Sequence, residues 1–231
     1  PGNSSEYGWL GYIPYDELPR VVNPEGGYVA TANNEVIDEN YPYHLSNIWA
    51  QPYRYERIVE LLESKEELTV QDMKDIQMDA KNLYAMEFLP NLLNTLKESN
   101  LANEYKEALN ILEEWDYFDT VEQSAPLIFR RLMANLQESL FINEMPEDLY
   151  KLMPGKAQIL DEMLREAYAG ETVLWIEKRG GLEKFVTTAF EKAINDLSDE
   201  YGSNANKWQW GDYHQLSFDH SLGSANKYVG L

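Results

Sequence analysis

From residue 53 to residue 201 the sequence keeps returning to apolar residues three and four apart, the spacing that lines one face of an α-helix. Ile58, Leu61 and Leu62 open the series, ahead of a charged segment at 63–67. Thr69 followed by Asp72 has the pattern of a capping box, and it predicts a helix running through Met73, Ile76, Ala80, Leu83 and Tyr84. Pro90 predicts a start or a kink in the continuation through Leu92, Leu93 and Leu96. Tyr105, Ala108, Leu109 and Leu112 form the stripe of a helix over 101–115, which Trp115-Asp116 ends. The pattern repeats over 127–140, with Arg130 and Arg131 on its flank, and again near 156–169 and 182–201. Gly170 and the Gly180-Gly181 pair are stop signals for these helices. Six or seven helices result, with no repeat of fixed period, and their Leu and Met stripes read as core.

The two ends have a different composition. Residues 1–52 are rich in Gly, Pro, Asn and aromatics, and Pro14, Pro19 and Pro24 recur too often for a helix interior. Trp9, Tyr12, Ile13 and Tyr15 suggest short strand and turn segments, and Asp16-Glu17-Leu18-Pro19 a helical turn. Asn23-Pro24-Glu25-Gly26-Gly27 is strong turn chemistry, because Pro fixes φ and the glycines can supply φ > 0. Residues 28–32 after it are small, apolar and compatible with a short buried strand, which would deliver Asn33 and Asn34 at its end. An Asn pair at a strand end ordinarily makes a turn. Aimed into a cavity, its side-chain N–H₂ can hold negative charge developing on oxygen. After Gly202, Leu216 and Phe218 alternate with polar neighbours, as a strand would. The fold class is therefore mainly α: a multi-helix domain over 53–201 between β or irregular segments at 1–52 and 202–231. Such an arrangement suits a helical insertion into a sheet lying mostly outside this chain.

Bulk chemistry excludes several functions. A net charge of −21 over 231 residues argues against nucleic acid or an anionic membrane as main partner, since both need clustered Lys and Arg. With no Cys, the chain has no disulfide, no thiolate nucleophile and no zinc–thiolate site. That is compatible with export. The chain begins at Pro1 without a signal-like apolar run, which gives it the look of a processed or excised piece. His44, His214 and His220 lack metal-ligand spacing and read as surface or satisfied histidines. Glu113, Glu114, Asp116 and Asp119 read as solvated helix faces, without the spacing of a calcium loop. There is no Gly-rich phosphate loop and no G-x-S-x-G elbow.

The run Trp9-x-Gly11-x-Ile13-Pro14-Tyr15-Asp16-Glu17-Leu18-Pro19, then Asn23-Pro24 and Gly27-Tyr28-Val29-Ala30-Thr31-Ala32-Asn33-Asn34, closely resembles the penicillin acylase (penicillin amidase) family. So do Tyr41-Pro42 and Pro52-Tyr53-Arg54-x-x-Arg57-Ile58-x-x-Leu61-Leu62. The likeness continues more weakly through Gln77-x-Asp79, Leu112-x-x-Trp115-Asp116 and Ser124-Ala125, to Trp208-x-Trp210-Gly211-x-x-His214 and His220-x-Leu222-Gly223. It spans essentially the whole chain, and the first segment is its specific part.

The resemblance implies a fragment of the large chain of an N-terminal-nucleophile amidohydrolase, whose αββα sandwich lies mostly outside these residues. In such an enzyme a Ser exposed by precursor cleavage attacks an amide carbonyl, its own α-amino group acting as base, and water hydrolyses the acyl-enzyme. Asn33 matches the residue that donates to the oxyanion, and Arg54 matches an Arg that positions the nucleophile or the substrate. Read by itself, Arg54 could instead pair with Glu56 or Glu60. Ser46-Asn47-Ile48-Trp49 looks like the family's S-N-x-W but follows the Asn pair where the family places it well upstream, so Ser46 is a coincidence and Trp49 packing. The nucleophile, the backbone oxyanion donor and the acyl pocket are then absent from this chain, which is expected to be inactive alone. The implied substrates are penicillins or related acyl amides, with acyl-homoserine lactones as alternative. The implied partners are the remaining segments of the same precursor, with no nucleic acid and no membrane, and the parent is expected to be extracellular or periplasmic. No cofactor is expected. The family's calcium site draws an Asp from the segment after Tyr-Pro, where Leu45 stands here, so this segment does not support metal binding. A non-catalytic helical interaction domain with an acidic surface is the remaining alternative.

Overall fold

Helices dominate the described residues. The computed structural model describes residues 11–142 and 144–217, together with Ser4 and Gly8. It divides into two units, Pro1–Met78 and Asp79–Leu231.

The first unit has a 3₁₀ turn at Tyr15–Glu17, as Asp16-Glu17-Leu18-Pro19 suggested, then α1 (Tyr53–Glu63) and α2 (Val70–Gln77). The capping box is present on both sides: the Asp72 N–H donates to Thr69 Oγ1 at 3.2 Å, and the Thr69 N–H donates to Asp72 Oδ2 at 2.7 Å. Neither helix has a fully buried residue, and Ala32 is the only buried hydrophobic residue described in this unit.

The second unit holds α3 (Leu83–Glu98), α4 (Lys106–Glu113), α5 (Ala125–Phe141), α6 (Glu147–Leu152), α7 (Lys156–Tyr168), α8 (Leu174–Glu177), α9 (Leu182–Tyr201) and α10 (Trp210–Tyr213). Its centre is the pair α5 and α9. Arg131 meets Glu200, Asn135 meets Asp196, and Glu138 meets Lys192, so one number climbs as the other falls and the helices run antiparallel. Leu132, Leu136, Val186, Phe190 and Leu197 fill the seam without measurable exposure. On α3 and α7 the order is the same in both: Tyr84 donates to Asp161 at 2.8 Å, Arg165 bonds Glu87 at 2.6 Å, and Thr95 meets Tyr168 at 3.1 Å. These two helices therefore run parallel. The Tyr168 hydroxyl sits deep enough that burial pushes its pKa up to about 12.

Several expectations are corrected here: among the described residues nine helices, not six or seven, fall in 53–201, and the helix expected over 101–115 is a 3₁₀ turn at Asn103–Tyr105 followed by the shorter α4. The helix opened by Thr69 stops at Gln77 instead of running on through Tyr84. Residues 80–82 are captured by another segment: Asp119 N–H donates to Ala80 C=O at 2.9 Å, Asn82 N–H donates to Tyr117 C=O at 2.7 Å, and Lys81 bridges Phe118. Asn82 then caps the next helix, its Oδ1 accepting the Ala85 N–H at 2.8 Å. Pro90 does not start a helix, since it lies inside α3. A proline removes one backbone bond, and here Phe88, Leu89, Leu92 and Leu96 bury the surrounding turns almost completely. The strand suggested by Leu216 and Phe218 is absent up to residue 217: α10 occupies 210–213, Leu216 is exposed, and Phe218 lies outside the described residues.

Candidate functional site

The Asn pair sits in the first unit at the N-terminal end of α1. Its geometry begins at the turn. The Gly27 N–H donates to Pro24 C=O at 3.0 Å, with Gly27 at φ +75° and Asn23 also left-handed at φ +49°. Residues 28–32 are not the short buried strand expected. No ladder pairs them among the described residues, and exposure alternates until only Ala32 is buried. A helix takes the place of a neighbouring strand. At one end of the segment the Tyr28 hydroxyl donates to Glu63 Oε1 at 2.5 Å, at the last residue of α1. At the other end Arg54 Nη2 donates to Ala32 C=O at 2.7 Å, from the second residue of the same helix. Nine helical residues span roughly 13–14 Å, which the few residues from 28 to 32 cover only when nearly extended. The segment therefore lies along α1, antiparallel to it. The acceptor carboxylate at Glu63 raises the Tyr28 pKa to about 12.

Asn33 takes φ +62°, one of three non-glycine residues with positive φ among those described. This conformation costs an ordinary L-residue on the order of 1–2 kcal/mol and is easiest for Asn, Asp and Gly. The polar groups around it are held. Arg54 Nη2 also donates to Asn33 Oδ1 at 3.1 Å, the Ala50 N–H donates to Asn33 C=O at 2.8 Å, and Asn34 Oδ1 accepts the Ala32 N–H at 3.1 Å. A guanidinium can only donate. It follows that the atom of the Asn33 amide facing Arg54 is the oxygen, and that the N–H₂ is turned away from it. The Asn33 side chain is exposed, and the positive charge of Arg54 lies beside it with the positive end of the α1 dipole. Arg54 does not meet Glu56 or Glu60; Glu60 bonds Arg57 at 2.8 Å.

The other candidates fall elsewhere. The Ser46 hydroxyl donates to Ile48 C=O at 2.9 Å and accepts the Ile48 N–H at 3.0 Å, a local turn. Tyr41 and Tyr43 both reach Glu17, the first to its carbonyl at 2.9 Å and the second to its carboxylate at 2.6 Å, tying the Tyr-Pro segment to the 3₁₀ turn. In the second unit Trp208 is buried in the core and its indole N–H donates to Gly202 C=O at 2.7 Å. Gly211 lies so close to Val121 that a Cβ would stand 3.2 Å from the Val121 carbonyl oxygen. His214 stacks on Trp210 with ring centroids 4.9 Å apart, and His220 lies outside the described residues. Asp119 is not a solvated helix-face carboxylate: it is half-buried, accepts 3.2 Å bonds from Asn82 Nδ2 at both oxygens, and burial raises its pKa. Among the described residues no group of three His, Asp or Glu could hold a metal ion. No described helix is long and apolar enough to cross a membrane. Sequence reading missed the Tyr28–Glu63 anchor and the Ala50 N–H. Both partners are far apart in sequence, and a backbone donor leaves no compositional mark.

The whole chain is similar to known proteins. A family profile described as Penicillin amidase matches residues 1–230. The chain is 28% identical to Penicillin acylase 2 proenzyme of Pseudomonas sp. strain SE83, over 97% of this chain and 28% of that protein. It is 23% identical to the acyl-homoserine lactone acylase QuiP of Pseudomonas aeruginosa, over 100% of this chain and 30% of that protein. The chain thus spans less than a third of the length of these relatives. In fold it resembles a thermostable penicillin G acylase from Alcaligenes faecalis, with a TM-score of 0.64 at 19% identity, over 87% of this chain and 41% of that one.

Proposed function

Because the chain belongs to the penicillin amidase family, we propose that it is a segment of an amidohydrolase acting on N-acyl amide bonds, with Asn33 as oxyanion donor and Arg54 as its positioning residue. The observation that carries this reading is the bond from Arg54 Nη2 to Asn33 Oδ1 at 3.1 Å, which turns the amide so that it offers N–H and not C=O. A donor pre-oriented in this way stabilises the oxyanion of a tetrahedral intermediate without reorganising during the reaction. The charge of Arg54 and the α1 dipole add a positive potential of the right sign.

The nucleophile lies outside this chain. On this reading a Ser at the start of the processed large chain attacks the acyl carbonyl, and its α-amino group takes the hydroxyl proton. The carbonyl π electrons move onto oxygen, where Asn33 donates one of its N–H groups. Collapse expels the amine, which receives the proton, and leaves the acyl-enzyme. Water repeats the sequence to release the acid. The partners of residues 1–231 are then the other segments of the same precursor, and residues 1–231 alone turn over no amide. The acyl group is chosen by residues elsewhere, so penicillins and acyl-homoserine lactones, the substrates in the relatives' names, are both candidates.

The test uses the processed full-length enzyme with Asn33→Ala. Acyl-enzyme formation from a chromogenic phenylacetyl anilide and from an acyl-homoserine lactone should slow on the order of 10²–10³-fold, the usual cost of one lost oxyanion donor. Undiminished acylation of a substrate that the unmodified enzyme uses would reduce Asn33 to a turn residue.

A further inference from the structure

We propose that Asn34 is a positioning residue for the same reaction, a side-chain staple that holds the Asn33 backbone left-handed and so aims its N–H₂; this rests on Asn33 being the oxyanion donor. Two bonds make the staple. Asn34 Oδ1 accepts the Ala32 N–H at 3.1 Å, and Asn34 Nδ2 donates to Glu35 C=O at 2.8 Å. One amide therefore grips the backbone on both sides of Asn33.

The need for a grip follows from the conformation. At φ +62° Asn33 sits in a well that an L-residue leaves readily, and in the ordinary wells its Cβ points in another direction. The remaining restraints do not fix φ by themselves. Arg54 holds the Ala32 carbonyl and the Asn33 Oδ1, both of which can follow a flexible guanidinium. The Ala50 N–H holds the Asn33 carbonyl, which lies after the φ torsion in question. Asn34 alone among these side chains reaches back across Asn33, to the Ala32 N–H, while its bond to Glu35 C=O fixes its own amide, so rotation about the Asn33 φ breaks the Ala32 bond. The two asparagines thus divide the work: Asn33 supplies the donor and Asn34 supplies its direction. The second Asn of the pair is more than a turn former.

A role exercised through Asn33 has a signature that a purely structural role lacks. In the processed full-length enzyme, with a chromogenic phenylacetyl anilide as probe, Asn34→Ala should lower the acylation rate about tenfold to a hundredfold, the range that a displacement of about an ångström causes. The thermal midpoint should stay near that of the unmodified enzyme. Placed on Asn33→Ala, the same Asn34→Ala change should cost less than twofold, because there is no longer a donor to aim. Asn34→Ser, which keeps a shorter acceptor for the Ala32 N–H, should fall between, and serves if Asn34→Ala is not processed. An equal rate loss with Asn33 intact and with Asn33→Ala, or no rate loss with Asn33 intact, overturns the staple and leaves the Asn33 assignment standing. An undiminished rate for Asn33→Ala itself overturns both, so the two failures are distinguishable.

Discussion

At Asn33 the backbone and the side chain make separate demands on one residue. The left-handed φ of +62° is satisfied by Asn or by Gly, whereas the oxyanion donor proposed at this position is satisfied by Asn and not by Gly. This separates two variants that would otherwise look alike. Asn33→Ala loses the donor and keeps an unfavourable conformation; Asn33→Gly loses the donor and relieves the backbone. Asn33→Gly should therefore be the more stable by roughly 1 kcal/mol while matching Asn33→Ala in lost acylation. Thermal unfolding of both variants beside their acylation rates checks this. Equal stability would mean that Asn33 does not hold a left-handed backbone in solution. Arg54 shows the same economy, because one guanidinium fixes a carbonyl at 2.7 Å and an amide oxygen at 3.1 Å, and its removal would release both.

Some elements begin for local reasons, which makes those boundaries testable. The α2 start rests on Thr69 and Asp72, so Thr69→Ala should cost about 1 kcal/mol of local helix stability. Asp72 also accepts a bond from Lys65, and this pair together with the cap depresses its pKa well below the ordinary aspartate value of 3.8. For a depressed carboxylate the stabilisation is present above the unfolded pKa and is lost as pH falls through the lower folded one. The α2 N-terminus should accordingly fray only well below pH 3.8, later than its sequence suggests, and Asp72→Asn should abolish that acid transition. Backbone amide shifts of residues 69–73 followed from pH 5 downward decide it. Asp119 has the opposite sign. Burial raises its folded pKa, so its contribution is greatest at low pH and declines as pH rises through that value. The C-terminus of α5 is closed from a distance: Arg179 donates to the carbonyls of Ser139 at 2.6 Å and Leu140 at 2.7 Å, bonds that no capping pattern in α5 foretells.

Across the molecule, apolar burial is unequal. In the second unit Leu89, Leu132, Leu136, Val186 and Phe190 have no measurable exposure. In the first, α1 and α2 have no fully buried residue, and Val21, Val22, Val29, Val70 and Met78 are exposed. Leu132→Ala should therefore cost about 2–5 kcal/mol in the isolated chain, as deletions in a packed core do. The half-buried Ile58→Ala should cost well under half as much. Amide exchange should follow the same division, with α5 and α9 protected to the limit of global unfolding and α1 and α2 opening at lower free energy. Equal protection of α1 and α9 in residues 1–231 alone would mean that apolar burial does not set local stability here.

The sequence by itself determined the longer helices of the core, because a stripe such as Ala108, Leu109 and Leu112 on α4 has one way to bury its face. It determined the caps whose two partners lie three residues apart, at Thr69 and Asp72. Its motifs also marked Asn33 and Arg54 out of 231 residues. Tertiary structure decided what periodicity does not record. It ended α2 by drawing residues 80–82 onto 117–119, carried α3 through Pro90 on the strength of its neighbours, and laid residues 28–32 along a helix where a strand was expected. It also brought Arg54 to Asn33 across 21 positions of sequence and so settled which atom of the amide faces outward. A local pattern carries the energy of neighbours three or four residues apart. The orientation of a donor depends on partners that only the folded chain brings within hydrogen-bond distance.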